Sequence, residues 1–290
     1  DVPQLKALGY KELHIYNTED PIEAIMTAAD KLGMKLFMGT CLGLAYPHVK
    51  EPSYHDEVIE AALVTIDALA KQYGHHPSFY GYYFSDETCD EWLLREGAVD
   101  TFRHIYGSQS SHIRRRHPDK RCMICPAIWR VGNPQEGRQR LYELLCGEKD
   151  GGRPLVDIVA QQDCLGRPTD LILPEPVYGE FERYVQEWAR GVREAGAEFW
   201  NDLEVFNSNI ISKHIEDTIQ DLEIESRFSG GNIVFDIVNY FSPLCRTGRI
   251  SATYRGAYSW QYAREDDFLQ RYVQHYRTVY ARAHRRGAER

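Results

Sequence analysis

Short apolar runs with strand character alternate with longer stripes at helical spacing along the chain, and no other feature restricts its fold so much. The strand-like runs are ELHIYN, MKLFMGTCLG, FYGYYF, RCMICPAI, LVDIVAQQD, EFWNDLEVF and NIVFDIVNYF. Between them the apolar residues recur every three or four positions. Ile22, Ile25, Met26, Ala29 and Leu32 do so after Asp20-Pro21-Ile22-Glu23, a capping box with proline at the first helical position, and Gly33 ends the stripe. Val58, Ala62, Ile66 and Leu69 make a second stripe, and Phe181, Tyr184, Val185, Trp188 and Val192 another. Further helices are expected over 91–117, over 212–228 and around Phe268–Ala283. Parallel strands need a crossover, and a helix supplies it. Seven strands over 290 residues suit an α/β fold of the (β/α) TIM-type barrel class better than an open sheet. Residues 5–9, LKALG, read as the tail of a helix. An eight-stranded barrel would therefore need one strand more, ahead of Asp1. The expectation is a single barrel domain over residues 1–290, either without its first strand or built as a distorted or seven-stranded barrel.

Composition narrows the partners. The net charge of −9, from 34 basic and 43 acidic residues, argues against a nucleic-acid groove. No apolar run approaches the roughly 18 residues that span a bilayer, so no membrane span is expected. The seven scattered cysteines are not a disulfide framework. Cys122 and Cys125 form a C-x-x-C, but in a strand positions three apart point to opposite faces. They read as buried thiols. His75-His76, ahead of Pro77, reads as loop, and neither metal nor cofactor is expected.

Barrel sites lie at the C-terminal ends of the strands. Those ends deliver Tyr16 and Asn17, then Thr40, then Asp86 and Glu87, then Trp129. After these come Gln162 and Asp163, then Asn201, Asp202 and Glu204, and last Tyr240. The set is acidic, amide-rich and aromatic. It contains no Gly-rich phosphate loop, no His-Glu-x-x-His and no G-x-S-x-G. Aromatic faces stack on the C–H faces of a pyranose, and amides and carboxylates bond its hydroxyls. Two carboxyls can then split a glycosidic bond, one protonating the leaving oxygen and the other attacking or activating water.

Glu87 and Glu204 are the expected pair. Their strands are three apart, so three steps of about 4.8 Å around a closed barrel bring the two ends nearly opposite each other. A gap of about 5–5.5 Å would give retention, and about 6.5–9.5 Å inversion. Alternation along EFWNDLEVF puts Glu198, Trp200, Asp202 and Glu204 on one side. Asp86 can serve as the acid or orient Glu87. Asp163 can bond a sugar hydroxyl, cap a loop or hold a cation. Trp129 and Tyr240 are stacking platforms or rim packing.

Three motifs carry a family resemblance. GYYFSDET resembles a "G-W-Y-x-x-x-E" strand, QQDCLG a "Q-D-G-x-G" turn, and WNDLEVF a "W-x-N-x-E-x-F" strand. In this order they resemble the glycoside-hydrolase-like TIM barrels described as domain of unknown function 4434. The resemblance implies Glu87 and Glu204 as the carboxylate pair, with Gln162 and Asp163 lining the pocket. It implies carbohydrate processing in a secreted or periplasmic setting, although no signal peptide is visible. Two departures bear on the pocket's shape. Cys164 stands where the motif has glycine, and Asn201-Asp202 shifts the asparagine by one place. The expected activity is a retaining glycoside hydrolase on a carbohydrate substrate, with Glu87 as general acid/base and Glu204 as nucleophile. A non-catalytic carbohydrate-binding barrel is one alternative. A metal-dependent isomerase or lyase using Asp86, Glu87, Asp163 and Glu204 as ligands is another.

Overall fold

The computed structural model describes residues 20–40, 52–146, 152–166, 178–207, 211–213 and 215–236, with 271, 274, 275, 277 and 278. The first strand expected, with Tyr16 and Asn17, and the last helix's stripe lie outside them, as does Tyr240.

The described chain opens with helix α1, Pro21–Leu32, then strand β1, Leu36–Gly39. Helix α2, Pro52–Tyr73, leads to β2, Phe79–Tyr83. Two helices follow, α3 at Asp90–Leu93 and α4 at Ala98–Arg116, then β3, Arg121–Ile124. Next are α5, Pro134–Leu145, β4, Ile158–Gln162, α6, Tyr178–Ala195, and β5, Glu198–Glu204. The short strands β6, Phe206–Asn207, and β7, Ile211–Ser212, precede α7, Ile215–Glu225, and β8, Asn232–Phe235.

Six strands pair in the order β1-β2-β3-β4-β5-β8, every pair parallel. Each crossover advances one strand, which curls the sheet into the described part of a TIM-type barrel. The register is continuous from Tyr82 beside Cys122 to Glu204 beside Phe235. β6 and β7 form a separate antiparallel ribbon. They are too short for periodicity to reveal.

Local chemistry explains several boundaries. Asp20 caps α1 by accepting from the Glu23 amide at 3.0 Å, with Pro21 behind it. Asn133 caps α5 through the Gln135 amide. The single helix expected over 91–117 is two. Gly97, at φ 78, holds a left-handed turn that separates α3 from α4.

The two faces of the sheet bury different residues. Tyr82, Cys122, Ile124, Val159 and Phe199 face the helices and join the main core with Trp188, Phe181 and Tyr106. Met123, Cys125, Ile158 and Ala160 fill the concave side with Phe37, Tyr83 and Trp200. The two cysteines of C-x-x-C therefore point to opposite faces. No described helix is long and apolar enough to cross a membrane.

Candidate active site

The concave parity continues to the strand ends and gathers acids there. Gln162, next in line after Ile158 and Ala160, donates from Nε2 to Glu87 Oε1 at 3.3 Å and to the Cys125 carbonyl at 2.8 Å. Gln162 pairs in register with Asp202. Burial first, then the charges of Asp163 and Glu87, pushes Asp202 up to about 7. Burial, then Asp202 and Glu87, likewise pushes the Cys125 thiol well up. Glu87, Gln162 and Asp202 thus form one group above Tyr83 and Cys125.

Glu204 follows Asp202 by one strand period and has the same parity. It is 5% exposed. Its Oε2 accepts from the Gly166 amide at 2.9 Å, and its own amide donates to Asp163 Oδ2 at 3.2 Å. A Cβ at Gly166 would lie 2.2 Å from the Phe206 carbonyl and 3.0 Å from Glu204 Oε2, so only glycine brings that amide to the carboxylate.

Adjacent residues separate to opposite faces. Asp163 is wholly buried and accepts from the amides of Leu165 and Glu204. Asn201 is wholly buried on the helix face with Phe199 and Leu203. Of the sugar contact, loop cap and cation site open to Asp163, its bonds are those of a cap for the turn at 163–166, and Asn201 has the parity of the helix face. Asp86 is buried, and its carbonyl accepts from the Tyr106 hydroxyl of α4 at 2.7 Å. Trp129 is half-buried at the rim, edge-on to Trp92 at 5.6 Å. Thr40 is taken up by Gln109 at 2.7 Å.

The sequence reading misses a charged group behind β5. The buried Lys213 ammonium meets Asp221 Oδ2 of α7 at 2.7 Å. Burial opposes the lysine's charge, but Asp163, Asp221 and then Glu204 hold its proton more firmly than usual. Burial, against the pull of Lys213, pushes Asp221 up to about 6. Burial, then Asp163 and Asp221, holds the Glu225 proton well above the usual carboxylate range. A charged residue at the buried face of a predicted helix is the signal that could have found this group: Asp221 and Glu225 are four apart, on one side of α7.

Cys164 explains one departure from the turn motif. Its φ is 51, the left-handed region where glycine is at ease. The thiol is buried with Cys89 and Ala127.

Asp202 also sets a pH dependence of stability. Its folded value of about 7 exceeds the ordinary 3.8, so the folded state binds the proton more tightly. The stabilisation is complete below about pH 3.8 and is lost as pH rises through about 7. The thermal midpoint of Asp202→Asn is expected to fall less over that interval than that of the unsubstituted protein. Parallel pH profiles of the midpoint check this.

A family model described as a domain of unknown function, DUF4434, matches residues 6–246. No curated protein matches the chain. Among solved structures, a provisionally named alpha-L-fucosidase from Bacteroides thetaiotaomicron VPI-5482 is similar at a TM-score of 0.65 and 20% identity, covering 94% of this chain and 76% of that one. The likeness is one of fold. The intracellular xylanase TsXylA from Thermoanaerobacterium saccharolyticum reaches a TM-score of 0.48 at 14% identity, over 80% of this chain and 76% of its own. At that level it carries no inference.

Proposed function

The chain belongs to the DUF4434 family, and from that premise we propose that it is a retaining glycoside hydrolase with Glu87 as general acid/base and Glu204 as nucleophile. The observation that carries the reading is the set of acids on one face at the strand ends. Glu87 from the end of β2 lies close enough to Asp202 of β5 to raise its proton affinity, and Glu204 is one strand period farther along. Glycoside cleavage needs one carboxyl that keeps a proton and one that is ionised. A cluster of like charges with partial burial separates carboxyls into those two states.

In this mechanism Glu204 attacks the anomeric carbon while Glu87 gives its proton to the departing glycosidic oxygen. The C–O bond to the leaving alcohol breaks and an ester to Glu204 forms. Glu87, now ionised, takes a proton from water, whose oxygen displaces the ester and frees Glu204. The Gly166 amide holds Glu204 Oε2 throughout and stabilises its carboxylate. With 5% exposure, Glu204 is reached only if the sugar displaces part of what covers it.

A second assignment has its own support. Asp202 is the carboxyl whose proton persists to about pH 7, and its Oδ1 has no hydrogen-bond partner among the described residues. On that reading Asp202 is the proton donor and Glu87 raises its proton affinity.

The test is a panel of aryl glycosides graded by leaving group, run with Glu87→Gln and Asp202→Asn. Loss of a general acid costs about 10²–10⁴-fold, and the cost shrinks as the leaving group improves. Glu87→Gln is expected to show that gradient. The gradient in Asp202→Asn instead would move the acid role to Asp202. No turnover of any glycoside or polysaccharide by the unsubstituted protein would leave the hydrolase reading without support.

Gly166→Ala gives a further expected outcome. The added methyl forces the amide from Glu204, a charge-assisted bond of about 1.5–3 kcal/mol. Because that amide fixes the orientation of the attacking carboxylate, its loss is expected to lower kcat about 10–100-fold. Steady-state kinetics on an activated glycoside measures it.

A further inference from the structure

The opposite end of the strands carries a second constellation. Ahead of β2, the His75 and His76 rings lie 4.1 Å apart, and His76 is buried. His76 Nε2 is 3.0 Å from Glu23 Oε2, on the first turn of α1. One ligand atom from each of Glu23, His75 and His76 lies within 4.8 Å of the others. From this geometry we propose that Glu23, His75 and His76 bind a divalent transition-metal ion that ties α1 to the segment ahead of β2.

The surrounding shell supports the assignment. His76 Nδ1 meets Asp30 Oδ2 at 2.6 Å, and Asp30 Oδ1 is held by the Ser78 amide at 2.8 Å. Metal-bound histidines characteristically give their other ring N–H to a carboxylate in this way. Glu23 is also oriented from behind, since Thr27 Oγ1 donates to Glu23 Oε1 at 3.3 Å. Bound at about 2.0–2.1 Å around a tetrahedral ion, two ligand atoms stand about 3.3 Å apart. The 3.0 Å between His76 Nε2 and Glu23 Oε2 is within easy reach of that spacing. The ion would replace the proton between those two atoms.

Two imidazoles and one carboxylate suit zinc, cobalt or nickel, and suit calcium or magnesium poorly. Water would fill the fourth position. The site lies before β2, whereas Glu87 lies after it, so its role is structural. His75-His76 looks like plain loop in the sequence because Glu23 and Asp30 come from another element.

The test uses the full chain, dialysed against a chelator and titrated with cobalt(II) and with zinc(II). One ion per chain is expected, with the intense visible band of tetrahedral cobalt and a rise in thermal midpoint. His75→Ala removes an exposed ligand and is expected to weaken binding about tenfold or more, as is Glu23→Gln. His104→Ala, at an exposed histidine beside Asp56, is expected to leave binding unchanged. Absence of saturable binding would overturn the proposal, as would equal binding by the His75→Ala and Glu23→Gln variants.

Discussion

Glu204→Gln is expected to abolish turnover of every glycoside, activated or not, by about 10⁴-fold or more, while the fold remains intact. The loss is uniform because without the nucleophile no glycosyl ester forms, whatever the leaving group. That separates it from Glu87→Gln, whose defect shrinks as leaving groups improve. The fold survives because glutamine keeps a carbonyl oxygen for the Gly166 amide, the bond that Glu204 Oε2 now accepts. The variant therefore isolates chemistry from structure at a carboxylate that has a structural partner. Activity on the aryl glycoside panel, beside the thermal midpoint, reads both. Retained activity would reduce Glu204 to an anchor for the turn at 163–166.

Lys213→Ala is the substitution with the largest expected effect on stability. Lys213 and Asp221 are both buried and meet at 2.7 Å. Removing one partner of such a pair leaves the other charge without compensation, at a cost of about 3–5 kcal/mol. In a domain of this size that lowers the thermal midpoint by on the order of 10 °C. The loss depends on pH. Asp221 is ionised in the folded protein above about pH 6, so the defect is fullest there and shrinks as the solution is acidified through that value. Glu225→Gln makes the contrast. Burial and its acidic neighbours hold the Glu225 proton well above the usual carboxylate range, so replacing it with an uncharged side chain of the same shape is expected to change stability little. Denaturant unfolding at pH 5 and pH 8 distinguishes the two variants. A Lys213→Ala defect equal at both values would remove the ion pair as its cause.

Much of the frame was legible because periodicity survives in the residues. The six strands from 36 to 235 fall within the runs that alternation picked out, in the parallel order that the intervening helices require. Parity within β5 put Trp200, Asp202 and Glu204 on one face, and the packing of Trp200 against Phe37 bears out that face as the concave one. The same parity separates Asp163 from Gln162 and Asn201 from Asp202. The helix expected over 91–117 missed its break because Gly97 inside a helical stripe is tolerated as readily as it is a stop. Lys213, Asp221 and Glu225 were hidden for a different reason. Charged residues are most often at the surface, and only the three-dimensional packing of α7 over β5 reveals that these are buried.

Peptide-level mass spectrometry after reaction with a panel of activated 2-deoxy-2-fluoroglycosides tests the pairing of Glu87 and Glu204 most directly. Such reagents halt a retaining enzyme at its glycosyl ester. The expected result is a single glycosyl adduct on the peptide that carries Glu204, formed by the unsubstituted protein and absent from Glu204→Gln. An adduct on Glu87 or Asp202, or turnover of the parent sugar with no adduct from any reagent, would contradict it.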